Sequence, residues 1–288
     1  MKRKFLSFAF IIFTSIISTA LFTQAAQSEE EKTDPNYNRI LYVDAPEVGE
    51  NYLAIMDVDG QNKQRLTPAF NNILMPRYSQ ASGWTGFTNR TREMVSEIYL
   101  LNRTGDRVRR VITDAILQDF SPDGKFFLYT TADNKAELFV YSIERKRANK
   151  ISQNLSIASA KWSSCGDWII ASAVNNNGSL DIYKISTLAQ GIVRVTNNQN
   201  VNQSFPVFSR DGKYVVYFTN RYENVEIEFL ELETKEIQRP LLMGTYPSLS
   251  PENSHLVFQK GNTIAISQVD GLETEILARN AKFPYWIK

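Results

Sequence analysis

The sequence has 288 residues, 43% of them hydrophobic, and sets 32 Lys and Arg against 31 Asp and Glu for a formal net charge of +1. With no basic block and no aromatic-basic stripe in the interior, that balance argues against nucleic-acid binding. The only cysteine, Cys165, excludes an intramolecular disulfide, and the only histidine, His255, excludes a metal centre built from several imidazoles.

The chain opens with Lys2-Arg3-Lys4, an apolar run over residues 5–22 and small residues at Thr23 and Ala25. This order predicts a secretory signal peptide over residues 1–27, cleaved after Ala25 or Ala26. Ser7, Thr14, Ser15, Ser18 and Thr19 make the run a poor permanent span, so no membrane insertion is expected after cleavage. Residues 28–38 carry three consecutive Glu and little apolar surface, too little to offset the entropy of ordering. They predict a flexible acidic tether.

From Arg39 the pattern changes to short β runs: Ile40-Leu41-Tyr42-Val43, Tyr52-Leu53-Ala54-Ile55-Met56, the turn Asp57-Val58-Asp59-Gly60, then residues 63–67. Later units repeat this order with one more strand in front. That strand ends in a phrase, an aromatic, Ser and an Asp-Gly-type turn, clearest at Phe120-Ser121-Pro122-Asp123-Gly124 and Phe208-Ser209-Arg210-Asp211-Gly212. Degenerate copies put Tyr78, Trp162, Leu249 and Trp286 in the same register, about 40 residues apart, the period of a four-stranded propeller blade. Residues 39–288 are therefore read as an all-β, six-bladed β-propeller. Its blades are expected at 39–68 with 281–288, 73–113, 116–153, 157–198, 203–242 and 245–280. The last assignment matters most: the first unit lacks its leading strand, and the isolated final run Ala281-Lys282-Phe283-Pro284-Tyr285-Trp286 supplies it. Such closure removes the open sheet edges that recruit other chains.

Little in the sequence suggests chemistry. His255 falls one strand after a blade turn, and no Gly-x-Ser-x-Gly elbow accompanies it, so a hydrolase is not expected. Asp57, Asp59, Asp123, Asp211 and Asp270 lack the spacing of a Ca²⁺ loop. No catalytic residue, metal or cofactor is predicted. Cys165 replaces a turn Asp and is expected near the surface. Glu226, Glu228, Glu231 and Glu233 read as a solvated face of one outer strand with Ile227 and Phe229 turned inward.

The propeller resembles that of the TolB family, the periplasmic component of the bacterial Tol-Pal envelope system. The residues that carry the resemblance are Ala281-Lys282-Phe283-Pro284-Tyr285-Trp286, Tyr246-Pro247-Ser248-Leu249-Ser250-Pro251, Arg39-Ile40-Leu41-Tyr42-Val43, Asp57-Val58-Asp59-Gly60 and Leu74-Met75-Pro76. It implies a non-enzymatic, monomeric protein-interaction module of the periplasm, serving envelope integrity and cell division. It also implies docking of the peptidoglycan-associated lipoprotein Pal, or a related lipoprotein, over the channel mouth. TolB proteins carry an α/β domain and a TolA-reporting segment ahead of the propeller; only the short tether precedes blade one here, so TolA coupling is not carried over. Connectivity gathers the interblade loops at one mouth, which places Leu74, Met75, Ile116, Leu117, Ala158, Ser159, Ser204, Phe205, Thr245, Tyr246, Lys282 and Phe283 on its rim. The positions of Asp114, Leu117 and Ala158 align with the Pal-facing rim of TolB. Two alternatives stay open: the rim side chains merely plug the channel, or the protein is a glycan-binding or lyase-related propeller with Trp84, Trp168 and Tyr222 as sugar platforms.

Overall fold

The computed structural model describes residues 36–288 apart from residues 48, 189–190, 199 and 222–224. The expected leader, most of the tether and Tyr222 lie outside the described residues. Turn residues between short apolar runs break the described chain into strands, the only named elements among the described residues. The first sheet holds β1 (Arg39–Asp44), β2 (Tyr52–Asp57) and β3 (Gln64–Arg65). The second holds β4 (Ile73–Tyr78), β5 (Thr85–Arg90), β6 (Ser96–Leu101) and β7 (Val108–Thr113). The third has β8 (Ala115–Phe120), β9 (Phe126–Thr131), β10 (Leu138–Ser142) and β11 (Arg147–Lys150). The fourth has β12 (Ile157–Trp162), β13 (Trp168–Val174), β14 (Leu180–Ser186) and β15 (Ile192–Arg194). The fifth is β16 (Gln203–Phe208), β17 (Tyr214–Thr219), β18 (Glu226–Glu231) and β19 (Ile237–Gln238). The sixth is β20 (Thr245–Leu249), β21 (His255–Lys260), β22 (Thr263–Gln268) and β23 (Thr274–Arg279), and the last strand is β24 (Ala281–Trp286).

These strands make six four-stranded antiparallel sheets, so the protein is a six-bladed β-propeller. Strands follow chain order within each blade, except that the first reads β24-β1-β2-β3. The tail strand thus lies innermost in the first blade, with Ile40 opposite Trp286 and Asp44 opposite Ala281. Trp286 is 4% exposed and donates from its indole Nε1 to Asn38 Oδ1 at 2.8 Å, which pins the tail to the head of the ring. The inner strands β4, β8, β12, β16, β20 and β24 each neighbour the next, all the way round.

The repeated phrase works through its serine. Ser121 Oγ donates to Asp123 Oδ1 at 2.6 Å and accepts the Phe126 N–H at 3.0 Å, while the Gly124 N–H reaches the Ser121 carbonyl at 2.9 Å. One hydroxyl therefore closes the turn and starts the second strand. Ser209 repeats the pattern with Asp211 and Tyr214. In the degenerate copy Cys165 Sγ stands 3.3 Å from Ser163 Oγ in the place of that aspartate, and the thiol is exposed.

The hydrophobic cores lie between blades rather than within them. Ile98 and Leu100 of the second blade pack with Leu117, Phe120 and Phe127 of the third, and Ile170 and Ile182 of the fourth pack with Phe208 and Tyr217 of the fifth. The register aromatics seat in these interfaces, each removing apolar surface worth on the order of 2–3 kcal/mol from water. Close approach demands glycine at this interface: a Cβ on Gly86 would stand 2.6 Å from Leu117 Cδ2 and 2.9 Å from Phe120 Cζ.

One expectation fails here. Glu228 does not belong to a solvated face: it is 0% exposed, accepts from Tyr217 Oη at 2.9 Å and pairs with Arg239 at 2.8 Å and Arg221 at 3.4 Å. Equivalent pairs join the third and fourth strands of other blades, Glu97 with Arg110, Glu137 with Lys150 and Asp181 with Arg194. Glu97, Asp181 and Glu228 are buried there between neighbouring blades, and a buried carboxylate must be paired.

Candidate functional site

All six inner strands start at one mouth of the channel, and each ladder of inner and second strand is interrupted near that start. The register shifts fall at Leu74/Arg77, Leu117/Asp119, Ile157/Ser159, Ser204/Val207 and Thr245/Ser248, and opposite β24 at Leu41/Val43. Such bulges re-aim side chains at the rims of closed sheets. In four blades the residue three before the register aromatic has a left-handed backbone: Met75 (φ 51°), Phe205 (φ 53°), Tyr246 (φ 53°) and Phe283 (φ 53°). Glycine would adopt that conformation freely, whereas a bulky residue there costs about 1–2 kcal/mol.

The result is a row of rings. Phe205 meets Tyr246 edge to face at 4.5 Å, and Tyr246 meets Phe283 in the same way at 4.7 Å, with Phe218 stacked on Phe205 at 5.5 Å. The row crosses the fifth, sixth and first blades, and its members are only half-buried. Burial raises the Tyr246 phenol pKa, so the ring stays neutral. The amides behind the row are satisfied from neighbouring strands: the Phe205 N–H donates to Ser159 Oγ and the Phe283 N–H to Gln259 Oε1, both at 3.1 Å.

The expected rim residues divide. Leu74, Met75, Ile116, Thr245 and Lys282 are half-buried at this mouth with the rings, and Asp114 and Ala158 are exposed there. Asp114 is the single residue between β7 and β8, left-handed at φ 55°. Three others do not present side chains at the mouth. Leu117 is 0% exposed in an interblade core; Ser159, 3% exposed, bonds Ser172 Oγ at 2.7 Å; and Ser204 is 6% exposed. The bulge moves the alternation by one residue, which turns Leu117 into the interface.

Toward the opposite mouth the channel narrows to a charged neck, which the sequence reading missed. The residues one before the register aromatic converge there: Arg77, Asp119, Lys161 and Tyr285. Lys161 Nζ lies 5.1 Å from the Tyr285 ring centroid, although their blades, the fourth and the first, face each other across the ring. Arg77 Nε stands 4.0 Å from Asp119 Oδ1 and donates to the Gln118 carbonyl at 2.6 Å. Asp119 Oδ2 accepts the Trp162 N–H at 2.9 Å. Burial dominates the electrostatics: it raises the Asp119 and Tyr285 pKa values and lowers those of Arg77 and Lys161. Burial also brings Lys288, at the same end, down to about 8.

Two of the three expected sugar platforms, Trp84 and Trp168, have cations over their rings. Trp84 lies under Arg109 at 5.1 Å and Trp168 under Lys184 at 4.0 Å, and each packs on a core cluster. His255 begins β21, its N–H donating to Ser250 Oγ at 3.1 Å and its Nδ1 3.0 Å from Ser254 Oγ. Among the described residues no cluster of three or more His, Cys, Asp or Glu could hold a metal ion.

Against this geometry the comparisons are specific. Tol-Pal system protein TolB of Francisella tularensis subsp. mediasiatica (strain FSC147) is 31% identical over 85 residues, 29% of this chain and 19% of that protein. The matched region thus spans about a fifth of that relative's length. The crystal structure of TolB from Acinetobacter baumannii superposes with a TM-score of 0.77 at 21% identity, over 88% of this chain and 67% of that one. The tricorn protease shares the fold with a TM-score of 0.64 at 12% identity, over 83% of this chain and 26% of its own. Structural likeness at such identities establishes the fold alone. The sequence profile of the TolB beta propeller domain matches residues 36–286, and the chain belongs to that family.

Proposed function

We propose that the ring-lined mouth is the docking face for a protein of the bacterial envelope, most specifically a peptidoglycan-associated lipoprotein of the Pal type, and that the propeller acts in the periplasm without enzymatic activity. The observation that carries this reading is the row Phe205, Tyr246 and Phe283, held half-buried on a left-handed backbone. Strain retained on bulky residues at equivalent places is a pointer to function, because glycine would relieve it. Rigid aromatic rings flanked by Leu74, Met75, Thr245, Lys282, Asp114 and Ala158 have the composition of an interface centre with a polar rim. Family membership supports a protein partner within the Tol-Pal system. The tricorn likeness shows that this fold also occurs in a protease chain, so the non-enzymatic reading rests on the site and not on the ring.

Calorimetry with purified Pal from the same cell tests the proposal. Tyr246→Ala is expected to weaken binding about 30-fold, the size of a hot-spot loss, and Ala158→Asp to weaken it by desolvating a charge. Full affinity in both variants refutes the mouth as the docking face. Stabilisation by peptidoglycan oligosaccharides and not by Pal would move the function to a carbohydrate ligand.

A further inference from the structure

The neck carries more positive charge than it balances. Arg77 is 6% exposed, and its donors are committed to the Gln118 carbonyl at 2.6 Å, the Pro76 carbonyl at 2.8 Å and Met75 Sδ at 3.9 Å. Asp119, 8% exposed, compensates one cation and receives the Trp162 N–H. Lys161 is then the second cation against a single carboxylate. Its ammonium has the Tyr285 ring face at 5.1 Å and no hydrogen-bond acceptor among the described residues. Lys288 adds a third ammonium, close enough to Lys161 to lower its pKa, and likewise has no acceptor among the described residues. Even without Lys288, Arg77 and Lys161 set two cations against the one carboxylate of Asp119, an excess of one positive charge. Both lysines are half-buried, with part of their surface left open. A site of this kind either releases a proton or takes up an anion.

We propose that the neck binds a small oxyanion, carboxylate or phosphate in type, at the Lys161 ammonium beside the Tyr285 ring, with Lys288 as a neighbouring ammonium and Arg77 supplying fixed background charge. Two features define the ligand class. Because Arg77 already spends its guanidinium fork on backbone carbonyls, the ligand meets two point charges rather than a planar fork, which suits any compact oxyanion. Side chains of four blades meet there, with Lys161 only 5.1 Å from the Tyr285 ring across the channel, so the gap suits an ion or a single acidic group and not an extended chain. The charged and titratable groups facing Lys161 are Arg77 on β4, Asp119 on β8, Tyr285 on β24 and Lys288, with Arg210 acting on Lys288. Binding requires protonated lysines, so affinity falls as pH rises past 8.

The test uses the intact propeller with succinate and, separately, inorganic phosphate, at slightly acidic pH and again above pH 8, with ionic strength held constant by chloride. The expected result is a melting-temperature rise of about 2–4 °C at saturation with at least one probe, the larger response naming the source. That rise should shrink at the higher pH. Calorimetric affinity should drop at least tenfold in Lys161→Met and in Lys288→Met, the second variant serving if the first does not fold. Melting temperatures that match in chloride, succinate and phosphate overturn the proposal. So does undiminished affinity in the variants.

Discussion

At the mouth where the inner strands begin, Phe205, Tyr246 and Phe283 meet edge to face and remain partly open, whereas at the neck Arg77, Asp119, Lys161 and Tyr285 close in around mutual charge. The two regions are built from the same six strands, one or two residues apart in each. At the mouth the cost of crowding six strands is stored in the backbone as left-handed rings; at the neck it is stored in electrostatics as displaced pKa values. The half-buried rings of the first site gain by being covered, since a partner would remove their remaining apolar surface from water. Strain on the second kind responds to protons and ions. On the two proposals together, one ring would offer a contact surface at one end and an ion-responsive site at the other.

Removing residues 281–288 should break both regions together, since the tail strand brings Phe283 to the mouth and Tyr285 to the neck while closing the first blade. Loss of the cooperative unfolding transition, or aggregation through the exposed edge of β1, is expected. An unchanged melting curve would refute the closure. Single substitutions should then separate the ends. Asp119→Asn leaves two cations without a carboxylate and should cost about 3 kcal/mol in denaturant titrations, whereas Phe205→Ala, from a half-buried position, should cost about 1 kcal/mol. The reverse order would show that the mouth, and not the neck, holds the ring shut.

The smallest effect expected is a pH dependence. Lys288 has its pKa lowered from 10.5 to about 8, so the unfolded chain keeps a proton that the folded chain gives up. Stability should rise between about pH 8 and pH 10, with Lys161 contributing in the same direction, and Lys288→Met should flatten part of that rise. Above pH 10 buried tyrosines oppose it, because Tyr42, Tyr217 and Tyr285 hold their protons more tightly when folded. A fall between pH 8 and 10 in denaturation midpoints would contradict the charged neck.

The sequence makes the ring legible because its turn chemistry repeats: Ser121 and Ser209 with their aspartates set the blade period, and Trp286 falls in register with Phe120 and Phe208 although it lies at the far end of the chain. The mouth was legible in position but not in detail. Bulges shift which face a residue occupies, and with Met, Phe and Tyr in place of Gly at the left-handed positions, composition gives no hint of them; Leu117 was misplaced for that reason. The neck left a signal that went unread, since aligning the repeats stacks Arg77, Asp119 and Lys161 in the column before the aromatic. Glu228 was misread as solvated because its partner Arg239 lies just past the next strand, where strand alternation alone does not show the pairing, and only Glu228 of the two is buried.

The place of β24 also sets the order of events during synthesis. The innermost strand of the first sheet is the last to be made, so β1 must wait with one edge unsatisfied until residues 281–286 have left the ribosome. A pairing between residues as far apart as Ile40 and Trp286 forms late and slowly. A nascent or truncated copy is accordingly an open coil of sheets, the form most exposed to proteases and to wrong neighbours, and only the finished chain escapes that hazard.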